Sequence, residues 1–206
     1  MTQLTLYTNP MSRGRIARWM VEETAQPYET VILPFGPPMK SPDYRAVNPM
    51  GKVPAIRHGD VVVTECAAIC AYLADTFPEA RLAPSQQARG SYYRWLFFAA
   101  GPLEAAVSNR SLGFEVPPER HRMIGYGSYE DVMDTLEIAV STNPFVAGST
   151  FTAADVYVGS HIGWGLQFGS IEKRPAFESY LARVTDRPAY RRAREKDDAA
   201  MQALQA

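Results

Sequence analysis

The sequence is poor in the residues that build disulfide frameworks and metal sites. Its 206 residues include two cysteines and three histidines. Cys66 and Cys70 lie close together on one predicted helix, a spacing that suits neither a structural zinc set nor a disulfide framework. The histidines have no cysteine or carboxylate at ligand spacing. We therefore expect no metal site, and a protein of a reducing compartment such as the cytoplasm.

Excess charge and long apolar runs are also missing. Lysine and arginine total 21 against 22 aspartates and glutamates, without a basic block, so no nucleic-acid partner is expected. No apolar run reaches the ~18 residues that a membrane span needs. The first residues lack the charged start and apolar core of a signal peptide. We expect a globular protein with no membrane partner.

The first part of the chain alternates strand and helix patterns. Leu4 to Thr8 alternates like a strand, a helical period follows Ser12, and Tyr28 to Leu33 gives a second strand. Two short strands then flank the turn at 58–60, and a helix begins near Glu65. Strand–helix alternation gives parallel strands, and a tight hairpin adds an antiparallel edge. The order predicts a four-stranded mixed sheet covered by helices, as in thioredoxin-like domains.

The pattern changes after a linker at 79–84, which two prolines bracket. No strand pattern of any length follows it. We therefore predict two domains, an α/β domain over 1–78 and an all-helical domain over 85–206.

The helical half shows its own start and stop signals. Gln86 to Ala100 is rich in aromatic residues and predicts a buried helix, which Gly101-Pro102 should interrupt. A second helix is predicted from Pro117 to about Val140. Thr152-Ala153-Ala154-Asp155 is a capping sequence for a third. The charged segment 191–198 predicts a solvated last helix.

The stretch Asn48-Pro49-Met50-Gly51-Lys52-Val53-Pro54 predicts a surface that binds a ligand through the backbone. Pro54 stands at a strand entrance, where its missing N–H does little harm and a cis bond suits a tight turn. The N–H and C=O of Val53 would then be free to pair with an extended, peptide-like ligand. The predicted helix start at Glu65-Cys66 supplies unpaired N–H groups for a carboxylate.

These segments resemble the glutathione-binding half of the soluble glutathione transferases. The resemblance is carried by the string from Asn48 to Pro54 and by Glu65-x-Ala67-Ala68-Ile69. The Thr152–Asp155 cap and Arg187-Pro188-Ala189-Tyr190 extend it over nearly the whole chain. One departure is Cys66, where the family usually has serine or threonine. The resemblance points to a serine-type bacterial member.

The resemblance implies glutathione as co-substrate and assigns roles to particular residues. The implied glutathione-binding residues are Ser12, Lys52, Val53, Pro54, Glu65 and Cys66. Ser12 would also be catalytic by activating the thiol, with Tyr7 as the competing donor. Plainer interpretations stand beside these: Ser12 as a helix N-cap, Lys52 as a solvated turn residue, Glu65 as a surface carboxylate at a helix start, and Cys66 as a small helix filler.

The implied function is conjugation of the glutathione thiol to small electrophilic, mostly apolar substrates, as in detoxification. The acceptor would bind facing the second domain, and the chain would form a homodimer. Another glutathione-dependent enzyme, such as a peroxidase, reductase or isomerase, is an alternative. Against a reductase, the segment from Thr8 to Arg15 contains no cysteine. A non-enzymatic ligand-binding protein of the same fold is the other alternative.

Overall fold

A single sheet forms the N-terminal half of the fold. The computed structural model describes residues 3–205. The strands are β1 (Leu4–Thr8), β2 (Glu29–Ile32), β3 (Ala55–His58) and β4 (Val61–Thr64). They lie in the order β2-β1-β3-β4. β1 runs parallel to β2 and antiparallel to β3, and β3 pairs antiparallel with β4. The predicted four-stranded mixed sheet of a thioredoxin-like domain is confirmed.

Helices make up most of the remaining regular structure. Their bounds are α1 (Gly14–Thr24), α2 (Pro42–Arg45), α3 (Cys66–Thr76), α4 (Arg89–Phe98), α5 (Glu104–Ser111), α6 (Tyr129–Thr142), α7 (Ala153–Phe168), α8 (Pro175–Thr185) and α9 (Pro188–Gln205). Within residues 3–205, none of the helices is both long and apolar enough to cross a membrane.

Contacts divide the chain into two compact units. We call residues 3–82 with 186–205 the sheet unit, and Ala83–Thr185 the helical unit. The boundary after Leu82 falls inside the predicted linker 79–84. The structure differs from the predicted range 85–206 at its end, because α9 packs on α1 in the sheet unit. The helical character of the second half is confirmed.

The charged segment 191–198 of the last helix is mostly exposed, as predicted, but one face of α9 is buried. Ala189, Ala193 and Asp197 follow one another at helical spacing and are buried. Asp197 accepts a 2.7 Å hydrogen bond from Arg18 Nε on α1, in a pair that is almost fully buried. Arg192 and Lys196 donate to Glu22, also on α1. The charges of α9 therefore hold it against α1.

Two predicted helices of the helical unit are interrupted. Between α4 and α5 the chain makes a π-helical turn over Ala99–Leu103, which contains Pro102. This agrees with the predicted break, since proline has no N–H to continue the helix. The helix predicted from Pro117 to Val140 is wrong: a 3₁₀ turn over Pro118–Met123 ends first, and α6 begins at Tyr129. Gly127, with φ of 72°, takes the left-handed conformation that breaks the segment.

α7 is the buried centre of the helical unit, and it begins where the sequence predicted. Thr152 and Asp155 form the capping box. Asp155 is fully buried and also accepts hydrogen bonds from the Val146 N–H and the Tyr180 hydroxyl. The cap thus fixes the start of α7 to the preceding loop and to α8.

Candidate functional site

The register of the sheet brings three predicted segments to one edge. Tyr7 pairs with Ala55, and Ala55 pairs with Thr64. One residue further along each strand come Thr8, Pro54 and Glu65, so the ends of β1 and β4 and the start of β3 lie side by side. Three segments therefore meet at this edge: the turn 9–13, which we call the Ser12 turn, the Val53-Pro54 segment and the start of α3.

The segment before Val53 is held by side chains that bind three consecutive carbonyls. Lys40 Nζ donates to the carbonyls of Met50 at 2.8 Å and Gly51 at 2.9 Å. The Lys52 carbonyl accepts from the Tyr44 hydroxyl and from Asn48 Nδ2, each at 2.7 Å. Burial, together with the neighbouring Tyr7, raises the pKa of Tyr44 to about 12, so this hydroxyl remains a donor at neutral pH.

The next residue, Val53, is left with unpaired backbone groups. Within residues 3–205, neither its N–H nor its C=O takes part in a hydrogen bond. The Val53–Pro54 peptide bond is cis, as that position suggested. Because unsatisfied backbone groups at a rigid site favour a partner, this segment can hold an extended ligand by main-chain hydrogen bonds.

Lys52 places a positive charge beside that segment. The side chain is exposed and has no hydrogen-bond or ion-pair partner in the described part of the chain. Its own carbonyl is fixed by Tyr44 and Asn48. Because the backbone of Lys52 is held in place while its ammonium group is unpaired, this side chain is suited to binding a ligand carboxylate.

Glu65 stands at the start of α3 in a strained backbone conformation. Its φ and ψ are 65° and 120°, a region that non-glycine residues rarely adopt and that costs about 1–3 kcal/mol. The helix has no side-chain cap at this end, and the start of a helix favours an anion because its first N–H groups have no partner within the helix. Backbone strain of this kind is typical of functional sites.

Ser12 precedes α1 and already has hydrogen-bond partners. Its Oγ donates to the Asn9 carbonyl at 2.7 Å and accepts from the Gly14 N–H at 2.9 Å. Since a hydroxyl carries one proton, that donor is committed in the free protein. The cap-like interaction that we weighed for Ser12 is therefore present. A second function requires the hydroxyl to turn from Asn9 towards a ligand.

The close approach of α1 to β1 explains why glycine follows Ser12-Arg13. A Cβ added to Gly14 would lie 1.9 Å from Thr8 Oγ1, far inside van der Waals contact. Any larger residue would push the start of α1 away from the end of β1. Gly14 thus lets the Ser12 turn lie tight against the sheet edge.

Cys66, the first residue of α3, points towards the Ser12 turn. Its side chain is 8% exposed, and its Sγ donates to the Arg13 carbonyl at 3.4 Å. The same carbonyl accepts the Ile16 N–H at 3.0 Å. The thiol therefore braces the turn. Cys70 is buried, and burial raises the pKa of its thiol.

Tyr7, the competing donor, lies on the opposite face of β1 from the buried Leu6 and Thr8. Its ring packs against Tyr44 with centroids 5.7 Å apart. Among residues 3–205, no hydrogen bond engages its hydroxyl. Tyr7 thus has a free donor, whereas Ser12 has a committed one.

Sequence reasoning missed the side chains that hold this edge in place. The sequence patterns assign no role to Lys40, Tyr44 or Asn9. Tyr44 is buried in a short helix, which is a weak signal for a positioning role. Lys40 contacts carbonyls 10 and 11 residues away, and Asn9 Nδ2 contacts a carbonyl 24 residues away, so no spacing rule predicts these pairs.

A cavity lies outside this edge. The helical unit has a cavity of about 380 Å³ between α4 and α6, lined among others by Arg94, Trp95 and Ile138. It contains none of the predicted site residues. Within residues 3–205, no group of three histidine, cysteine or acidic side chains is arranged to hold a metal ion.

Comparisons with known proteins agree with this geometry. The family model described as "Glutathione S-transferase, N-terminal domain" matches residues 11–76. Glutathione S-transferase A of Pleuronectes platessa is 27% identical over 186 residues, covering 85% of this chain and 83% of the relative.

Solved structures give the same match over almost the full length. A glutathione transferase of Phanerochaete chrysosporium, in complex with oxidized glutathione, is 27% identical with a TM-score of 0.78, covering 96% of this chain and 97% of that one. A glutathione transferase homolog from Sulfitobacter, with bound glutathione, is 26% identical with a TM-score of 0.74, covering 95% and 99%.

The fold is a thioredoxin-like domain followed by a helical unit. The edge of the sheet presents unpaired backbone groups and a positive charge that can bind an extended ligand. The matched family model covers that edge from the Ser12 turn through α3. Residues 11–76 match the glutathione S-transferase N-terminal domain, and over most of its length the chain is similar to glutathione transferases.

Proposed function

We propose that this glutathione transferase conjugates the glutathione thiol to small electrophilic, mostly apolar substrates. Glutathione as co-substrate is supported by the relatives that hold it. The observation that carries the proposal is the sheet edge, where the unpaired backbone of Val53, the free ammonium of Lys52 and the uncapped start of α3 lie together. Each group matches one part of a short anionic peptide.

The tripeptide would lie across this edge. Its backbone would pair with the N–H and C=O of Val53, next to cis-Pro54. The γ-glutamyl carboxylate would accept from the first N–H groups of α3, including that of Cys66, and Glu65 would bind the γ-glutamyl ammonium. A second carboxylate would face Lys52. These assignments leave the Cys66 thiol on the Arg13 carbonyl.

Ser12 would activate the thiol by donating its hydroxyl hydrogen bond to the thiolate. A hydrogen bond to a charged acceptor contributes about 1.5–3 kcal/mol, against about 0.5–1.5 kcal/mol for a neutral one. The thiolate therefore outcompetes the Asn9 carbonyl by roughly 1 kcal/mol. With about 0.3–1 kcal/mol from the α1 N-terminus, the thiol pKa falls by about one unit from ~8.5. We prefer Ser12 to Tyr7 because it lies at the start of α1.

An apolar acceptor fits the surroundings of Ser12. The neighbouring Met11 is 54% exposed, which places an apolar side chain beside the proposed thiol donor. Burying such a side chain against a substrate is favourable. We further propose, from the family resemblance, a serine-type member that acts as a homodimer in the cytoplasm, with a role in detoxification. The part of the predicted division that agrees with the contacts, a boundary within the linker 79–84, belongs to the same proposal.

The alternatives differ in what happens to the thiol. A reductase needs a cysteine nucleophile near the end of β1, and the segment from Thr8 to Arg15 has none. A peroxidase or isomerase would use the same thiol site on another substrate. A non-enzymatic binding protein would hold glutathione without acidifying its thiol.

The test combines glutathione binding with a turnover screen. We expect micromolar-to-millimolar binding by calorimetry, and turnover with aryl halides or other carbon electrophiles. Peroxide and disulfide substrates form the comparison set. Ser12→Ala should bind glutathione normally and lose most of the turnover. Binding without turnover on any electrophile would favour the non-enzymatic alternative, and the absence of glutathione binding would overturn the proposal.

A further inference from the structure

Asn9 connects the Ser12 turn to the sheet through every polar group that it has, apart from its own N–H. It is completely buried. Its Nδ2 donates to the Leu33 carbonyl just after β2, at 2.9 Å, and its Oδ1 accepts the Met11 N–H, also at 2.9 Å. The amide side chain thus ties the turn to the neighbouring strand.

The carbonyl of Asn9 accepts two hydrogen bonds from Ser12. It accepts the Ser12 N–H at 3.1 Å and the Ser12 hydroxyl at 2.7 Å. The position of Ser12 Oγ relative to the sheet is therefore set by Asn9 on one side and by the Gly14 N–H on the other. The bond from the Ser12 N–H closes the β-turn that an Asn-Pro pair favours, and the bond from the Ser12 hydroxyl is added to that turn.

We propose that Asn9 is a positioning residue for thiol activation, an inference that rests on the proposed function of Ser12. Its side chain fixes the turn, and its carbonyl holds the Ser12 hydroxyl until the thiolate replaces it as acceptor. The asparagine side chain suits the Leu33 carbonyl and the Met11 N–H because its NH₂ group donates and its carbonyl oxygen accepts. An aspartate would keep the acceptor for Met11 and lose the donor to the Leu33 carbonyl.

The test is a double-mutant cycle read by the pKa of bound glutathione, taken from thiolate absorbance near 240 nm. Ser12→Ala, Asn9→Ala and the double variant are compared with the wild type. We expect each single variant to raise the thiol pKa by about one unit, a tenfold loss of thiolate at neutral pH. The double variant should match Ser12→Ala, because Asn9 acts through Ser12. Glutathione affinity should change little, since Val53 and Glu65 are untouched.

The control is Thr24→Val, which removes another buried side-chain hydrogen bond of the sheet unit, from Thr24 Oγ1 to the Val21 carbonyl. It should lower the melting temperature and leave the thiol pKa unchanged. If Asn9→Ala fails to fold, the neutral variant Asn9→Ser serves in its place, with a shift in the same direction; an aspartate is unsuitable because its charge would itself raise the thiol pKa.

The outcomes separate this inference from the proposed function. If Ser12→Ala shifts the pKa and the Asn9 variants lower only the melting temperature, Asn9 is merely structural and the inference is overturned. Additive shifts in the double variant would overturn it as well. If Ser12→Ala itself leaves the thiol pKa unchanged, the proposed role of Ser12 in thiol activation is overturned, and the inference about Asn9 is overturned with it.

Discussion

The Ser12 hydroxyl donates to the Asn9 carbonyl at 2.7 Å in the free protein. The group that we propose as thiol activator is thus held in place before any ligand arrives, and its reorganisation is a rotation about one bond. A charged acceptor is worth more to a hydroxyl than a neutral carbonyl. The free-protein geometry therefore favours transfer of this hydrogen bond to a thiolate and not to a neutral thiol.

Glu65 should show a trade between stability and binding. Glu65→Gly relieves the φ of 65°, whereas Glu65→Ala keeps it, so the glycine variant should be more stable than the alanine variant by about 1 kcal/mol. Both should lose glutathione affinity, because both lack the carboxylate. Denaturant unfolding and calorimetry measure the two effects. Wild-type affinity in both variants would show that Glu65 is not a ligand contact.

Lys52 should matter for binding and not for folding. Because its side chain is exposed, Lys52→Met should change the free energy of unfolding by less than about 0.5 kcal/mol. The glutathione Kd should rise about fivefold, or ~1 kcal/mol, at low ionic strength, and the difference should shrink in concentrated salt. The matched control is Lys173→Met, at an exposed lysine of the helical unit. An equal effect of both variants would contradict a local role.

Asp155 should contribute more than an ordinary helix cap. Its carboxylate accepts from Val146, Thr152 and Tyr180 in a fully buried position. Asp155→Ala leaves several buried donors unsatisfied and should cost about 3 kcal/mol, against ~1 kcal/mol for a typical cap. Tyr180→Phe removes a single bond and should cost about 1 kcal/mol. Turnover per folded molecule should stay constant, and equal losses in the two variants would contradict this account.

Stability should fall in acid partly through Glu22. Burial opposes its charge, but hydrogen bonds from Lys196, Tyr28 and Arg192 outweigh the burial and lower the pKa of Glu22. Its folded-state pKa therefore lies below the unfolded value of ~4.3. The stabilisation is fully present above that value and is lost as the pH falls through the folded-state pKa.

The measurement is the free energy of unfolding between pH 6 and pH 3. Glu22→Gln should be less stable than the wild type at pH 6 and should lose less stability on acidification. Glu178→Gln, at an exposed position of α8, should keep the wild-type slope. A wild-type slope in Glu22→Gln would exclude this contribution.

The sheet edge was predictable because its signals are local. Turn residues, the Val53-Pro54 pair and the alternation of β1 each act over a few residues, and the register that joins them is set by the hydrophobic pattern and the turn geometry. The position of α9 was not predictable in the same way. Asp197 lies at helical spacing from Ala189 and Ala193, yet it pairs with Arg18, 179 residues away in sequence. The hydrogen bond that the Ser12 hydroxyl donates was equally unpredictable from the sequence, because its acceptor is a backbone carbonyl.

The central claim is that Ser12 lowers the pKa of the bound thiol. The most direct measurement titrates the thiolate absorbance of bound glutathione in the wild type, Ser12→Ala and Tyr7→Phe. The account predicts a wild-type pKa about one unit below the free value of ~8.5, a return towards that value in Ser12→Ala, and little change in Tyr7→Phe. A wild-type pKa near that of free glutathione, or a shift in Tyr7→Phe alone, would contradict it.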